Sequence, residues 1–166
     1  MRCRLPAVLL VLLLAACACF ILVTSGALPE RVASHFDGAG TANGAMTREG
    51  YRNFMLLFAL GLPLLMIALI AWLPRLMPNQ TNILNRGYWL APERRAATFA
   101  VLSAYALWLG CLLTIFMGAI HWLLLRANAV NPPRLENTAF LLLLAAFAAV
   151  LALWIVMLVR RFRVVS

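Results

Sequence analysis

Long apolar runs separated by short polar connections set the pattern of this chain. Four of them, at about 7–27, 53–73, 98–125 and 138–159, are long enough to cross a bilayer as helix, because roughly 20 residues at about 1.5 Å rise span about 30 Å of hydrocarbon. The pattern therefore predicts an all-α integral membrane protein: one four-helix domain over 1–166, with a single structured loop on the outer side. Pro6 suits the first turn of the first helix, where its missing N–H costs nothing. Gly61 and Pro63 predict a kink in the second. The third run, at roughly 42 Å as helix, must tilt or protrude. Asn131-Pro132-Pro133 makes a short turn, after which Asn137 or Thr138 can cap the fourth helix. In the outer loop at 28–52, Arg31 to Asp37 reads as extended, with Gly38-Ala-Gly40 and Asn43-Gly44 as turns. Thr47 reads as an N-cap, with Glu49 favourable near the positive helix end. The second connection, 74–97, carries Tyr88 and Trp89 at a headgroup interface and Pro92-Glu93-Arg94-Arg95 as a helix start.

Composition excludes a soluble domain: 65% of the 166 residues are hydrophobic and 11% charged, against about half and a quarter in ordinary globular chains. The net charge of +9 does not indicate nucleic acid, because the basic residues, all arginine, stand at helix ends rather than in one patch. They follow the positive-inside rule. With both termini inside, Arg2, Arg4, Arg75, Arg86, Arg94, Arg95, Arg160, Arg161 and Arg163 face the cytoplasm. Arg31, Arg48, Arg52, Arg126 and Arg134 then face outward, with Glu30, Asp37, Glu49 and Glu136, while Glu93 alone among the acids is inside. The spans contain no Asp, Glu, Lys or Arg, which argues against a pump or secondary transporter. Their many small residues suit helix packing in lipid and a bundle able to self-associate. Leu14-Ala15-Ala16-Cys17 has the look of a lipoprotein cleavage site, but the apolar run continues to Ala27 as in an uncleaved anchor.

Candidate chemistry is sparse. The only two histidines, His35 and His121, fall on the same predicted side, and with Asp37, Glu30 or Glu136 could form a two-histidine, one-carboxylate metal set. No His-Glu-x-x-His or clustered Cys/His spacing supports it. Cys17 and Cys19 are two positions apart, so a helix points them roughly 200° apart. Ser34 adjoins His35 without a third member of a nucleophilic triad. That leaves His35, Phe36 and Asp37 as candidate ligand-contact residues and no expected cofactor.

The run Leu28-Pro29-Glu-Arg-Val-Ala-Ser-His35-Phe36-Asp37-Gly-Ala-Gly40, followed by Asn43-Gly44, resembles the bacterial membrane domain of unknown function numbered 1648. That family has Leu-Pro, a His-Phe or His-Tyr pair and glycine-containing turns directly after a first transmembrane helix. Residues 10–70 carry the likeness, and Tyr88-Trp89-Leu-Ala-Pro-Glu93-Arg94-Arg95 is similar to the family's cytoplasmic segment. Ala45-Met46 departs from it, standing where an aromatic residue is common. The domain also occurs in a toxin-immunity protein that holds a repressor at the membrane, so the resemblance implies immunity-like or signalling roles. The leading expectation is a non-catalytic binding or sensing protein of the bacterial inner membrane. Ligand contact would come through 28–52, and partner contact inside through Tyr88, Trp89, Glu93, Arg94 and Arg95. Its partners would be membrane lipid, other membrane subunits or a secreted peptide. The alternatives are an accessory subunit of a larger membrane complex and a small metal-dependent enzyme using His35 and His121.

Overall fold

The computed structural model describes residues 3–163; Arg2, counted above on the inner face, lies outside them. The chain runs α1 (Arg4–Ser25), β1 (Arg31–Phe36), β2 (Ala42–Thr47) and α2 (Arg48–Ile67). A π-helical segment, Ala68–Trp72, then leads into α3 (Leu73–Leu76), a 3-10 turn at Pro78–Gln80 and α4 (Arg86–Trp89). Two long helices, α5 (Pro92–Asn128) and α6 (Asn137–Arg163), complete it. Four helical stretches are long and apolar enough to cross a membrane: Arg4–Ser25, Arg48–Leu76, Pro92–Asn128 and Asn137–Arg163.

Cross-helix contacts fix the relative directions. The Cys3 thiol donates to Ala100 O at 3.5 Å, while Thr24 meets His121 at 2.8 Å, so α1 and α5 run parallel. Arg75 reaches Ser103 at 2.9 Å and Tyr51 reaches His121 at 2.7 Å, so α2 and its extension run against α5. Trp154 Nε1 donates to Tyr105 O at 3.1 Å and Phe147 stacks on Phe116 at 4.2 Å, which makes α6 antiparallel to α5 as well. The order is thus up-down-up-down with α5 in the middle.

Close approach of the first three helices depends on small side chains. Ala59 and Ala106 are fully buried, and a Cβ on Gly110 would come within 3.0 Å of Ile67 Cδ1 and 3.2 Å of Leu10 Cδ1. In lipid, where tails are as apolar as leucine, such close packing rather than water exclusion holds helices together. The core at one end gathers Ile21, Val32, Tyr51, Met55 and Met117 from α1, β1, α2 and α5. At the opposite end a smaller cluster gathers Trp89, Leu102 and Phe162. α6 is different: none of its most apolar stretch is buried, and Phe162 is its only buried residue.

The second span carries an irregular, π-helical stretch at Ala68–Trp72, beyond Pro63, which is buried inside α2. The wider turn, with Leu73 N–H reaching back five residues to Ala68 O, comes directly before Pro74, which can donate no bond of its own. The fold is also not wholly helical, because most of the 28–52 connection is an antiparallel hairpin. Its register pairs Arg31 with Thr47, Val32 with Met46 and Ala33 with Ala45, then breaks before His35 pairs with Gly44. Asn43-Gly44 therefore lies inside β2 rather than in a turn. Gly44 serves the sheet by lacking a side chain, since a Cβ there would come 3.0 Å from His35 Cβ.

The hairpin turn is at Asp37–Thr41. Asp37 Oδ1 accepts from Ala39 N–H at 2.9 Å and Thr41 N–H at 2.8 Å, the self-capping that aspartate offers in turns. Thr47 caps α2 as expected, its hydroxyl accepting from Gly50 N–H at 3.1 Å. The tip is held by the α5–α6 connection: Leu135 N–H donates to Gly40 O at 2.9 Å and Asn137 Nδ2 to Gly38 O at 2.8 Å.

Gly40 has φ of +79°, and a Cβ there would collide with Leu135 O. Gly40→Ala should therefore cost about 1–3 kcal/mol, whereas Gly38→Ala, where a Cβ meets nothing within 4 Å, should be nearly neutral. Thermal unfolding of the two purified variants in one detergent checks the difference.

Candidate functional site

The hairpin does not stand free above the bundle. Asn128, in the last turn of α5, accepts from Ala33 N–H through Oδ1 at 2.8 Å and donates to Ala33 O through Nδ2 at 2.9 Å. One amide thus does for β1 what a third strand would do, satisfying both backbone groups of a residue in the hairpin. Fastened there and at its tip, the hairpin leaves a groove of about 540 Å³ against α5 and α6. His35, Phe36 and Asp37 border it on one side, and Leu124, Phe140 and Leu141 are among the apolar residues facing them. The hairpin wall is polar apart from Phe36 and Gly38, and the helical wall is apolar apart from Asn137.

The three candidate contact residues are not equivalent. His35 is exposed and Phe36 half-buried. His35 Nδ1 lies 3.0 Å from Ser34 Oγ, and neither is committed to the core. Asp37 is largely taken up by the turn, with one oxygen bound to two backbone N–H groups. His35 and Phe36 are the side chains with room to meet a ligand.

His121 has a different role. It is fully buried, faces α1 and α2, and uses both ring nitrogens. Thr24 donates its single hydroxyl hydrogen to Phe20 O at 2.6 Å, so its oxygen accepts from His121 Nε2–H at 2.8 Å. Nδ1 then carries no hydrogen and accepts from the Tyr51 hydroxyl at 2.7 Å. A one-way chain from Tyr51 through His121 and Thr24 to Phe20 O ties three helices beneath the hairpin. The opposite tautomer would leave the Tyr51 hydrogen without an acceptor. Among the described residues, no buried polar side-chain atom lacks a partner.

That placement takes His121 away from His35, which looks onto the groove beside Ile120 and Leu124 of α5. Among the described residues no group of three His, Cys, Asp or Glu side chains is gathered for a metal ion. The suggested set of His35, His121 and Asp37 is not brought together: burial and two hydrogen bonds occupy one histidine, and the turn occupies the carboxylate. Cys17 lies buried midway along an unbroken α1 and Cys19 is exposed on it.

The candidate partner segment at the other end is partly internal. Trp89 is buried, and its Nε1 donates to Phe162 O at 3.0 Å. Asn85 Nδ2 donates to Phe162 O at 3.1 Å and Arg163 O at 3.0 Å. Together they satisfy carbonyls that the end of α6 leaves open. Thr98 Oγ1 donates to Trp89 O at 2.7 Å, and the Arg94 guanidinium lies 4.0 Å over the Tyr88 ring. Glu93, Arg94 and Arg95 are exposed, Tyr88 half-buried. Trp89 is therefore a clamp on α6, and only the charged part of the segment is open to a partner.

Sequence reasoning missed Asn128, Tyr51 and Thr24. A lone amide, a phenol and a hydroxyl on three separate helices carry no spacing signal; only the packing reveals that Tyr51 and Thr24 meet on His121 and that Asn128 holds β1. No protein-family model matches the chain, nor does any curated protein or solved structure.

Tyr51→Phe strands a buried acceptor on His121 and should destabilise the protein by about 1–3 kcal/mol. Thr24→Val breaks the same chain from its other end. If the chain acts as one unit, the double variant loses clearly less stability than the two single losses summed. Strictly additive losses in thermal unfolding would reject the connected arrangement.

Proposed function

We propose that this is a non-catalytic binding or sensing protein of a bacterial inner membrane, and that its ligand occupies the groove beside His35 and Phe36. The observation that carries this reading is the groove's mixed lining: Ser34, His35 and Asn43 stand beside Phe36 on the hairpin wall, and Ile120, Leu124 and Phe140 stand beside Asn137 on the helical wall. A ligand with a polar end and an apolar body matches both walls, and such small, convergent, mixed pockets are where binding concentrates. The arginine distribution supports both termini inside and the hairpin outside. Membership of the 1648 family, with immunity or signalling as its role, belongs to the same proposal.

Ligand contact has a physical route to the opposite end. The hairpin tip holds Leu135 and Asn137 where α6 begins, and Asn85 with Trp89 hold α6 where it finishes. A displaced tip pulls on α6, and the Tyr88–Arg95 segment receives the movement. Accessory-subunit function remains a second reading, supported by the unburied flank of α6. A stoichiometric companion retained through mild-detergent purification would favour it.

The test removes the two groove side chains separately. Cells deleted for the gene and complemented with wild type should regain their response to the organism's own secreted fraction. His35→Ala and Phe36→Ala should each weaken that response by roughly tenfold or more, the scale of one lost contact of about 1.4 kcal/mol, at equal membrane abundance. An unchanged response in both variants defeats the groove assignment.

A further inference from the structure

At the end of the bundle remote from the hairpin, the loop after α3 and the start of α5 enclose an open notch of about 420 Å³. Arg86 and Arg95 stand at its rim, over a floor of Pro78, Gly87 and Ala91. We propose that this notch binds a phosphate-bearing anion, with an anionic phospholipid headgroup as its occupant in the membrane.

The arginines around the notch divide into committed and uncommitted groups. Arg75 donates to Ala71 O at 3.0 Å and Ser103 Oγ at 2.9 Å. Arg94 is stacked on Tyr88, and Arg161 lies 4.8 Å over Trp89. The Arg86 guanidinium has no hydrogen-bond or ion-pair partner among the described residues, and the Arg95 side chain uses only its Nε, on Leu90 O at 3.3 Å. The fork of Arg95 and the whole guanidinium of Arg86 are left to meet a ligand.

Among the described residues no carboxylate pairs with them. The two ion pairs among the described residues, Arg52–Glu49 and Arg126–Glu136, belong to the hairpin end. Glu93 is the one Asp or Glu side chain at this end among the described residues, and it does not line the notch. Paired guanidinium groups are suited to phosphate oxygens, which they meet with parallel N–H donors. Exposed Leu76 and Met77 adjoin the notch in the chain, so a bound headgroup has apolar protein surface beside it for its acyl chains. Basic pockets placed between membrane helices near the headgroup layer hold anionic lipids in this way.

The test uses the full chain in a mild detergent and native mass spectrometry with added phosphatidylglycerol or phosphatidylcholine. Wild type should retain phosphatidylglycerol selectively. Arg86→Gln should weaken retention about fivefold and Arg86→Gln with Arg95→Gln roughly thirtyfold, from the usual contribution of each arginine near a charged bilayer. Arg86→Gln alone disturbs no internal contact, so its effect is read in a protein that folds. Arg160→Gln with Arg163→Gln removes equal charge outside the notch and should leave retention near wild type. Equal retention in all variants overturns the proposal. An equal loss in the control pair also overturns it, by showing diffuse attraction rather than a site. Inorganic phosphate distinguishes the source of the ligand. Displacement of the lipid at millimolar phosphate identifies a phosphate site open to soluble anions, and persistence of the lipid identifies a headgroup site.

Discussion

His121 is buried among apolar side chains with both ring nitrogens bonded, and the hairpin end of the bundle is arranged around that fact. A polar ring in such surroundings is stable only if every donor and acceptor is matched. Matching requires one residue from α1 and one from α2 to arrive at α5 at the same height. The requirement fixes the vertical register of three helices that small-residue packing alone would leave free to slide. It also positions Tyr51, the fourth residue of α2, and so the point where β2 hands the chain back to the bundle. The hairpin's seat on Asn128, less than two turns further along α5, follows from the same register.

The four spans were legible because lipid demands long uninterrupted apolar helices, and that demand writes itself plainly into composition. The Thr47 cap was legible for a related reason: its chemistry is local, complete within four residues. Pairing within 28–52 was harder to read. Asn43-Gly44 carries the strongest turn signal of the loop, yet the turn forms at Asp37–Thr41 and Gly44 is used for close contact with His35. Local propensity was overruled by where the tip must reach in order to meet Leu135 and Asn137. The groove followed the same division. His35 and Phe36 stood out as unexplained by structural roles, but the helical wall opposite them comes from residues a hundred positions away. Those residues have no distinguishing feature beyond being apolar.

The two ends of the bundle use their polar residues differently. Internal hydrogen bonds hold both ends, but only at the hairpin end do they tie three helices through one buried ring. At the other end charge is abundant, and among the described residues aromatic rings rather than carboxylates receive the guanidinium groups. A protein that binds on one side and anchors on the other would need this division. Rigid geometry makes a pocket, whereas a fringe of cations accommodates a fluctuating headgroup layer.

α6 is held at its first turn by the hairpin tip and at its last by Asn85 and Trp89, with little burial between. Physical constraint on this helix is therefore very uneven, strongest at its ends and at the inward Phe147 and Trp154. Its outward middle positions can exchange one apolar residue for another over evolutionary time at almost no cost, while its terminal turns cannot. Descendants of this chain should carry the history of their membranes in the middle of α6 and the history of their function at its ends.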